Sequence, residues 1–220
     1  MKERVCIFID GGNFYHLVLK KLSLHELDFD FEAFALFLAN ERNISEMGKR
    51  FYVGTVREKE GDARSVEAMS RQNSLFTIMR NTKWEIKTSK LKTRIEEIII
   101  DSRVAEYKKI NKLGIRKITI ERMREKGIDV KLATDLIVGA VDNKYDTAII
   151  VSSDSDLIPA IDWVRHRGRK KVEYIGFSIP DPNNPKNNTT PLLSMISRTN
   201  IQRTLVESDI RTFVRPKLIP

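Results

Sequence analysis

The sequence has few of the residues on which several common classes of protein depend. Its 220 residues include one cysteine, Cys6, so an internal disulfide framework and a cysteine-rich zinc site are both excluded. No apolar run approaches the roughly 20 residues that a membrane-spanning helix needs. The apolar run at residues 5–9 is too short for the core of a signal peptide. We therefore expect a globular, cytoplasmic protein.

Several sequence motifs for cofactors and nucleophiles are absent too. Gly11 and Gly12 lack the third spaced glycine of a dinucleotide-binding fingerprint. Neither a Walker-type phosphate loop nor a GxSxG nucleophile motif occurs. His16, His25 and His166 do not have the spacing of metal ligands, and we interpret them as structural or surface residues. The remaining candidates for chemistry are carboxylates.

Basic residues are abundant and unevenly distributed. Lysine and arginine number 39 against 30 aspartates and glutamates, which gives a net charge of +9. Residues 80–126 hold 15 of the basic and 7 of the acidic residues, and thus nearly all of the excess. A second basic cluster comprises Arg165, Arg167, Arg169, Lys170 and Lys171. Such patches attract polyanions such as nucleic acid, although a solvated helix face that only aids solubility has the same composition.

The hydrophobic pattern alternates between short apolar runs and helical periodicity. Runs typical of buried strands lie at residues 5–9, 50–56, 84–88, 147–151 and 171–177. Helical spacing is found at 13–22, 31–39, 62–79, 93–112 and 129–141. Strands that alternate with helices predict βαβ units, so the expected fold is a three-layer α/β/α sandwich with a mainly parallel sheet.

The predicted organisation is one main domain with two additions. The main domain spans residues 1–178 and includes a basic insertion at about 80–126. A loop rich in proline and asparagine follows at 179–191. Residues 192–220 are predicted to form a C-terminal helical extension that packs on the domain.

Aspartates stand at the ends of two predicted strands and on the helix before the second strand. With one asparagine, the candidates are Asp10, Asn13, Asp129, Asp135, Asp154 and Asp156. Asp10 follows the strand at 5–9, and Asp154 follows shortly after the strand at 147–151. Because ligands bind at the carboxyl ends of strands in open parallel sheets, we expect these turns to converge.

Carboxylates gathered at one edge of a sheet have a chemical consequence. They repel one another, so the protein must protonate some of them or bind a cation. Mg²⁺ and Mn²⁺ prefer such oxygen ligands and can activate a water to attack phosphorus. An acidic pocket within a basic surface is the composition expected of a metal-dependent nuclease.

Each of these acids also has a purely structural interpretation. Asp10 could be a turn residue before two glycines. Asp154, with its neighbour Asp156, could cap the following helix. Asp129 could be the N-cap of its own helix, and Asp135 an exposed position on that helix.

Three blocks of the sequence resemble one family. Residues 7–15 (IFIDGGNFY) resemble the opening motif of NYN domains, the LabA-like branch of the PIN-like nuclease superfamily. Residues 126–140 (KGIDVKLATDLIVGA) resemble the central helix motif of that family. Residues 145–177 (YDTAIIVSSDSDLIPAIDWVRHRGRKKVEYIGF) resemble its unit of strand, acidic turn, helix and strand.

The resemblance implies a PIN-like fold and a ribonuclease or RNA-processing factor that depends on Mg²⁺ or Mn²⁺. The implied catalytic residues are Asp10, Asn13, Asp129, Asp135, Asp154 and Asp156, and the implied metal ligands among them are Asp10, Asp135, Asp154 and Asp156. Asp135 would be the helix-borne acid of PIN-like enzymes in general, and Asp129 the additional acid of this branch.

The sequence departs from the family pattern in two places. Ser153 stands where the acidic turn more often has glycine, and Leu157 where phenylalanine is frequent. Neither change removes a ligand. PIN-like enzymes often use a further acid from an early helix, for which Glu58, Glu60 and Glu67 are candidates.

The sequence therefore predicts a metal-dependent ribonuclease that hydrolyses phosphodiester bonds of single-stranded or structured RNA. Ser152 and Ser153 would contact the scissile phosphate or orient water. The RNA backbone would be bound by Lys87, Lys90, Lys92, Arg94, Arg122, Arg124 and Lys126. The alternatives are a non-catalytic RNA-binding regulator and a metal-dependent phosphatase, the latter disfavoured because Asp10 does not begin an Asp-x-Asp motif. The expected partner is RNA, and a homodimer is an open alternative to a monomer.

Overall fold

Six parallel strands form the central sheet in the part of the chain that the structure, a computed structural model, describes: residues 2–56, 61–90, 92–124 and 127–215. The strands of the chain are β1 (Arg4–Asp10), β2 (Asn43–Thr55), β3 (Trp84–Lys90), β4 (Lys92–Ile99), β5 (Lys117–Arg124), β6 (Thr147–Val151), β7 (Lys171–Ser178) and β8 (Ile201–Val206). The central sheet has the order β3-β2-β1-β6-β7-β8, with every neighbouring pair parallel. The predicted α/β sandwich is confirmed.

Helices cover both faces of this sheet in two layers. The helices of the described residues are α1 (Gly11–Phe14), continued by a π-helix (Tyr15–Leu19), α2 (Phe31–Ala39), α3 (Ala63–Asn81), α4 (Tyr107–Lys112), α5 (Ile128–Val141), α6 (Ile158–His166), α7 (Leu193–Arg198), α8 (Glu207–Arg211) and 3₁₀ turns at Glu26–Asp28, Ser155–Leu157 and Pro185–Asn187. Helices α1–α3 and α8 pack into one hydrophobic cluster, and α5–α7 into the other. Within the described residues, no helix is long and apolar enough to cross a membrane.

The central strands are buried on both faces, which explains their continuous apolar sequences. In β1, Val5, Ile7 and Ile9 face the first cluster. Cys6 and Phe8 face the second. This period of two is that of an extended strand, and helices on both faces are typical of parallel sheets.

Residues 92–124 form a two-stranded antiparallel ribbon, which we call the β-arm, with α4 between its strands. The sequence-based prediction of a helix at 93–112 is therefore wrong for its first part, which is strand β4, and only its last turn and a half, α4, is helical. Consecutive β-branched isoleucines at 98–100 favour extended backbone, because their χ1 freedom is restricted in a helix. Strand β3 belongs to the central sheet, so the inserted element is shorter than the predicted 80–126 segment.

The C-terminal region also differs from the predicted helical extension. Between α7 and α8, strand β8 pairs with β7 and forms one edge of the central sheet. Only Leu205 of this strand is buried, so its hydrophobic alternation in the sequence is weak. In the preceding proline-rich loop, Ile179 and Thr189 form an antiparallel bridge.

The order of the strands reverses between β1 and β6. Strands β2 and β3 extend the sheet on one side of β1, and β6, β7 and β8 extend it on the other. The register runs from Val5 opposite Thr147 to Ile9 opposite Val151, so Asp10 and Ser152 follow side by side. In doubly wound sheets the carboxyl ends at such a switch point form the ligand-binding crevice.

Candidate active site

Side-chain hydrogen bonds join the turns that end β1 and β6. The Ser152 hydroxyl donates to Oδ2 of Asp10 at 3.3 Å. The backbone N–H of Ser153 donates to Oδ1 of Asn13 at 2.9 Å. Asp10 and Ser152 are almost fully buried, with 7% and 1% of their surface exposed. These bonds fix the relative position of two turns that are far apart in the sequence, so the predicted convergence of the turns is present.

The Asp10 carboxylate also organises its own turn. Its Oδ1 accepts a hydrogen bond from the backbone N–H of Asn13 at 2.9 Å, which makes Asp10 the N-cap of α1. Such a cap satisfies a backbone donor that the helix leaves unpaired, and the negative charge is favourable at a helix N-terminus. Asp10 therefore has the structural role in its turn that was one of its two interpretations. Capping and cation binding can use different lone pairs of one carboxylate, so the two roles are compatible.

The second turn is built in the same way. Ser152 Oγ accepts from the backbone N–H of Asp154 at 3.2 Å. Oδ1 of Asp154 then accepts from the backbone N–H of Asp156 at 2.9 Å and begins the 3₁₀ turn that leads into α6. Asp154 is thus a cap as well, and Asp156 is exposed beside it.

A tyrosine that sequence reasoning missed holds the second turn from β7. The hydroxyl of Tyr174 lies 2.9 Å from Oγ of Ser153 and accepts a hydrogen bond from the backbone N–H of Leu192 at 3.1 Å. Either hydroxyl can be the donor in the bond between Tyr174 and Ser153. Tyr174 is fully buried, and a buried tyrosine in an apolar strand was the available signal, because its hydroxyl needs a polar partner.

Asp129 shares an electrostatic environment with the second turn. The N-cap of α5 is Gly127, whose φ of +88° suits glycine, so the interpretation of Asp129 as the N-cap is wrong. Partial removal from water raises the pKa of the Asp129 carboxyl, and the charge of Asp154 and, more weakly, that of Asp156 also raise it. We call Asp129, Asp154 and Asp156 the acidic cluster.

Asp135 lies in a different set of interactions. Its Oδ2 accepts hydrogen bonds from Nη1 of Arg50 at 2.7 Å and from the hydroxyl of Tyr52 at 2.8 Å. Burial and the neighbouring Asp135 charge raise the pKa of Tyr52, so the phenol keeps its proton and donates it. Glu85 of β3 also binds Arg50, at 2.7 Å. Tyr52 is the register partner of Asp10, so this ion-pair network borders the first turn.

Arg50 and Tyr52 had no role in the sequence-based site. They occupy alternate positions of β2, and residues two apart in a strand lie on the same face. Two hydrogen-bond donors on one face of a strand, within reach of a helix that carries an acid, are a signal that pattern analysis can use. The separation of six positions between Asp129 and Asp135 corresponds to a rise of about 9 Å along α5, which explains why the two acids have different neighbours.

The donor chemistry of the site suits a hard divalent cation. Carboxylate and hydroxyl oxygens are the ligands that Mg²⁺ and Mn²⁺ prefer. Besides burial, repulsion by Asp154 and Asp156 raises the pKa of Asp129, and a cation would relieve that repulsion. Over the described ranges, however, no group of three His, Cys, Asp or Glu side chains converges as a metal site. Asp10 and the acidic cluster are the residues that could hold a cation here.

The basic residues predicted to contact RNA are spread over β3 and the β-arm. Lys87 Nζ binds Glu85 at 2.6 Å and lies 3.9 Å from the Asp135 carboxylate. Lys90 ends β3. In the β-arm the register places Lys92 opposite Arg124 and Arg94 opposite Arg122. Lys126 lies outside the described residues.

Of the three candidates for a further catalytic acid, Glu67 lies within the described residues. Glu67 lies on α3, where its carboxylate binds the guanidinium of Arg71 at 2.8 Å. Its side chain is 65% exposed, so this is a surface pair along the helix. Glu58 and Glu60 lie outside the described residues.

These features define a doubly wound α/β domain with carboxylates at its topological switch point. The NYN domain family matches residues 4–193, and the chain belongs to that family. NYN domains are part of the PIN-like nuclease superfamily, whose members generally use divalent metal ions.

A similar solved structure shows the same fold. It is the crystal structure of a protein of unknown function from Vibrio parahaemolyticus RIMD 2210633, which matches with a TM-score of 0.55 and 18% sequence identity over 94% of each chain. At this identity the likeness concerns the fold alone. A search of curated proteins found no match.

Proposed function

We propose that the protein is a metal-dependent ribonuclease of the LabA-like branch of the NYN family, which hydrolyses phosphodiester bonds of RNA. The observation that carries the proposal is the meeting of two acidic turns at the switch point. Asp10 is hydrogen-bonded to the turn that leads to Asp154, and the charge of Asp154 acts on Asp129. Membership of a nuclease superfamily supports the same conclusion.

Each residue at this edge has a part in the proposal. Asp10, Asp129, Asp154 and Asp156 would hold Mg²⁺ or Mn²⁺. When bound, such an ion makes water a better nucleophile and offsets the negative charge of a phosphate. Ser152 fixes the orientation of the Asp10 carboxylate through its hydroxyl, and Asn13 fixes the backbone of Ser153. The Ser153 hydroxyl, oriented by Tyr174, would donate to a phosphate oxygen.

For Asp135 we propose a positioning role in place of the predicted metal ligand. Its carboxylate neutralises Arg50, whose side chain is 12% exposed, and accepts the Tyr52 proton. A buried cation without such a partner would be costly. Asp135 therefore fixes α5 to β2 and, through Tyr52, supports the strand that lies beside Asp10.

The β-arm would bind the RNA backbone. Residues 92–124 include ten basic and five acidic residues, a large part of the net charge of the chain. At the end of the ribbon that joins the domain, the register pairs Lys92 with Arg124 and, two positions on, Arg94 with Arg122. Lysine and arginine that neutralise phosphates release the counterions of a nucleic acid, so a segment with this excess of basic residues suits a polyanion.

A non-catalytic RNA-binding regulator is the second candidate. The observation that favours it is that Asp10 and Asp154 both act as helix or turn caps, a structural function that a domain without activity also needs. Such a protein would bind RNA through the β-arm and leave it intact.

Cleavage of a labelled single-stranded RNA tests the two candidates. The assay uses purified protein with Mn²⁺, with Mg²⁺ and with EDTA. We expect metal-dependent cleavage that falls by orders of magnitude in the Asp10→Asn/Asp154→Asn double variant, with RNA affinity nearly unchanged. Asp162→Asn, which alters a surface pair with Arg198, is the matched control and should cleave normally. RNA binding without cleavage in every condition would contradict the ribonuclease and leave the regulator.

A further inference from the structure

A cavity of about 480 Å³ opens beside the first turn, on the face of the sheet opposite the acidic cluster. Gly11 and Gly12 form one wall, the end of β2 at Gly54 another, and the middle of α3 at Ala68 and Gln72 a third. Its volume lies in the range of sites for small organic ligands. Gly11 and Gly12 directly follow Asp10, so by chain geometry their Cα atoms lie within about 8 Å of that of Asp10.

The wall at β2 is held in place by Gln72. The Gln72 amide accepts from the backbone N–H of Val56 and donates to the carbonyl of Gly54, both at 2.9 Å. The side chain thus continues the hydrogen bonding of the strand end, and its polar atoms are committed to the wall. The cavity is therefore a formed feature with a fixed rim at the strand end.

The lining combines flat rings with polar groups. Tyr15 and His16 line the cavity, with their ring centroids 5.2 Å apart and the rings nearly perpendicular. Glu26 and Arg71 add one acceptor group and one donor group. Burial raises the pKa of the Glu26 carboxyl, so that group also protonates more readily and can then donate. Ring faces beside mixed donors and acceptors match the two recognition features of a nucleobase, its π-face and its polar edge.

We propose that this cavity binds one unpaired nucleobase of RNA, next to the phosphodiester bond that is cut. The inference rests on the proposed function, and it adds the requirement that the substrate present an unstacked base. Such a base stacks on an aromatic ring and leaves its edge for hydrogen bonds, which a base within a duplex cannot do. The short chain distance from Gly12 to Asp10 suits adjacent parts of one RNA strand.

The first test measures binding without cleavage. Nucleoside 5′-monophosphates are titrated into labelled protein in EDTA, and backbone amide shifts are followed by NMR. We expect shifts at Gly11, Gly12 and Gly54. Ala68→Trp should abolish them because the indole fills the cavity, and Ala63→Trp on an exposed part of the same helix is the matched control. His16→Ala removes one exposed ring and should weaken binding while the fold is kept. Shifts that map elsewhere, or that persist in Ala68→Trp, would overturn the proposal.

The second test separates a base within RNA from a free nucleotide. A single abasic nucleotide is moved along a single-stranded RNA, and affinity is measured in EDTA. One position should lower the affinity by about tenfold in the native protein and in Ala63→Trp, but not in Ala68→Trp. Equal affinity at every position would overturn the proposal, even if free nucleotides bind. Because both tests omit the metal, their outcome is independent of whether the protein cleaves RNA.

Discussion

The acidic turns and the β-arm are built on opposite principles. In the turns, buried side chains of Asp10 and Ser152 bond to each other and to neighbouring backbone, so their geometry is imposed by the sheet. In the β-arm, Ile95 and Leu113 are 73% and 76% exposed, and the ribbon has two strands only. Two isolated strands are marginally stable in water. The contrast indicates that the side chains of the turns need precise positions, whereas the β-arm contributes positive charge on an extended ribbon.

Deleting the β-arm is the strongest test of this contrast. Replacement of residues 92–124 by a short glycine–serine linker should lower RNA affinity by about a hundredfold at physiological salt. The reason is that each lost phosphate contact removes the release of a counterion, which also makes log K less dependent on log salt. Affinity measured by fluorescence anisotropy over a series of salt concentrations gives both quantities.

The deletion variant must also fold. The β-arm has its own sheet, separate from the six-stranded one, so the domain should keep its circular dichroism spectrum and its cooperative unfolding. An unchanged RNA affinity in a folded variant would place the RNA-binding surface elsewhere. Unfolding of the variant would show that the β-arm is part of the core.

Replacement of an aspartate by asparagine should lower the free energy of unfolding much more in the central domain than in the β-arm. Asp135→Asn removes one of the two carboxylates that pair with the buried Arg50 and should lower the free energy of unfolding by about 2 kcal/mol, below the range for a fully buried pair. Asp101→Asn in the β-arm removes the partner of Arg103, which is 81% exposed, and should leave stability unchanged. Urea unfolding of both variants measures the difference. Equal stability of the two variants would contradict the positioning role of Asp135.

The sequence was sufficient to predict the central strands and the two acidic turns. Apolar runs that end in Asp10 or lead to Asp154 identify buried strands and their edge. Strands of a parallel sheet are buried on both faces, so their sequences are continuously apolar. The β-arm and β8 were not predicted, since neither buries a continuous face that would produce a clear period. The partners of Asp135 were missed because the donors on β2 and the acid on α5 are each visible in the sequence, but their pairing over a separation of 85 residues is not.

The hydrogen bond from the Ser153 N–H to Asn13 should contribute less to the free energy of unfolding than the ion pair of Asp135 with Arg50 does. Asn13→Ala removes the acceptor of the Ser153 N–H, and the expected loss in unfolding free energy is about 1 kcal/mol. Asn184→Ala removes a similar bond to a backbone N–H, that of Lys186 in an exposed loop, and should cost less because water can replace it. Thermal unfolding of the two variants gives the comparison. A cost for Asn184→Ala that equals that of Asn13→Ala would show that the turns gain nothing from burial.

The smallest effect is expected at Asp129, and its sign depends on pH. The folded state raises the pKa of this carboxyl, so ionised Asp129 destabilises the fold at neutral pH. Asp129→Asn should therefore stabilise the protein at pH 7 by less than about 1 kcal/mol, since the group is partly solvated. The gain should shrink as the pH falls through the raised folded pKa, and it should vanish below the ordinary aspartate value of about 3.9.

At neutral pH, metal ions should reverse the order of stability of the native protein and Asp129→Asn. A cation held by Asp10 and the acidic cluster would stabilise the native protein by mass action, and less so the variant that lacks one carboxylate. Thermal unfolding at pH 7 with and without Mn²⁺ should therefore show Asp129→Asn as the more stable protein in EDTA and the less stable one in Mn²⁺. If Asp129→Asn is more stable than the native protein in both EDTA and Mn²⁺, a cation does not relieve the repulsion at Asp129. The acidic cluster would then be no part of the metal site.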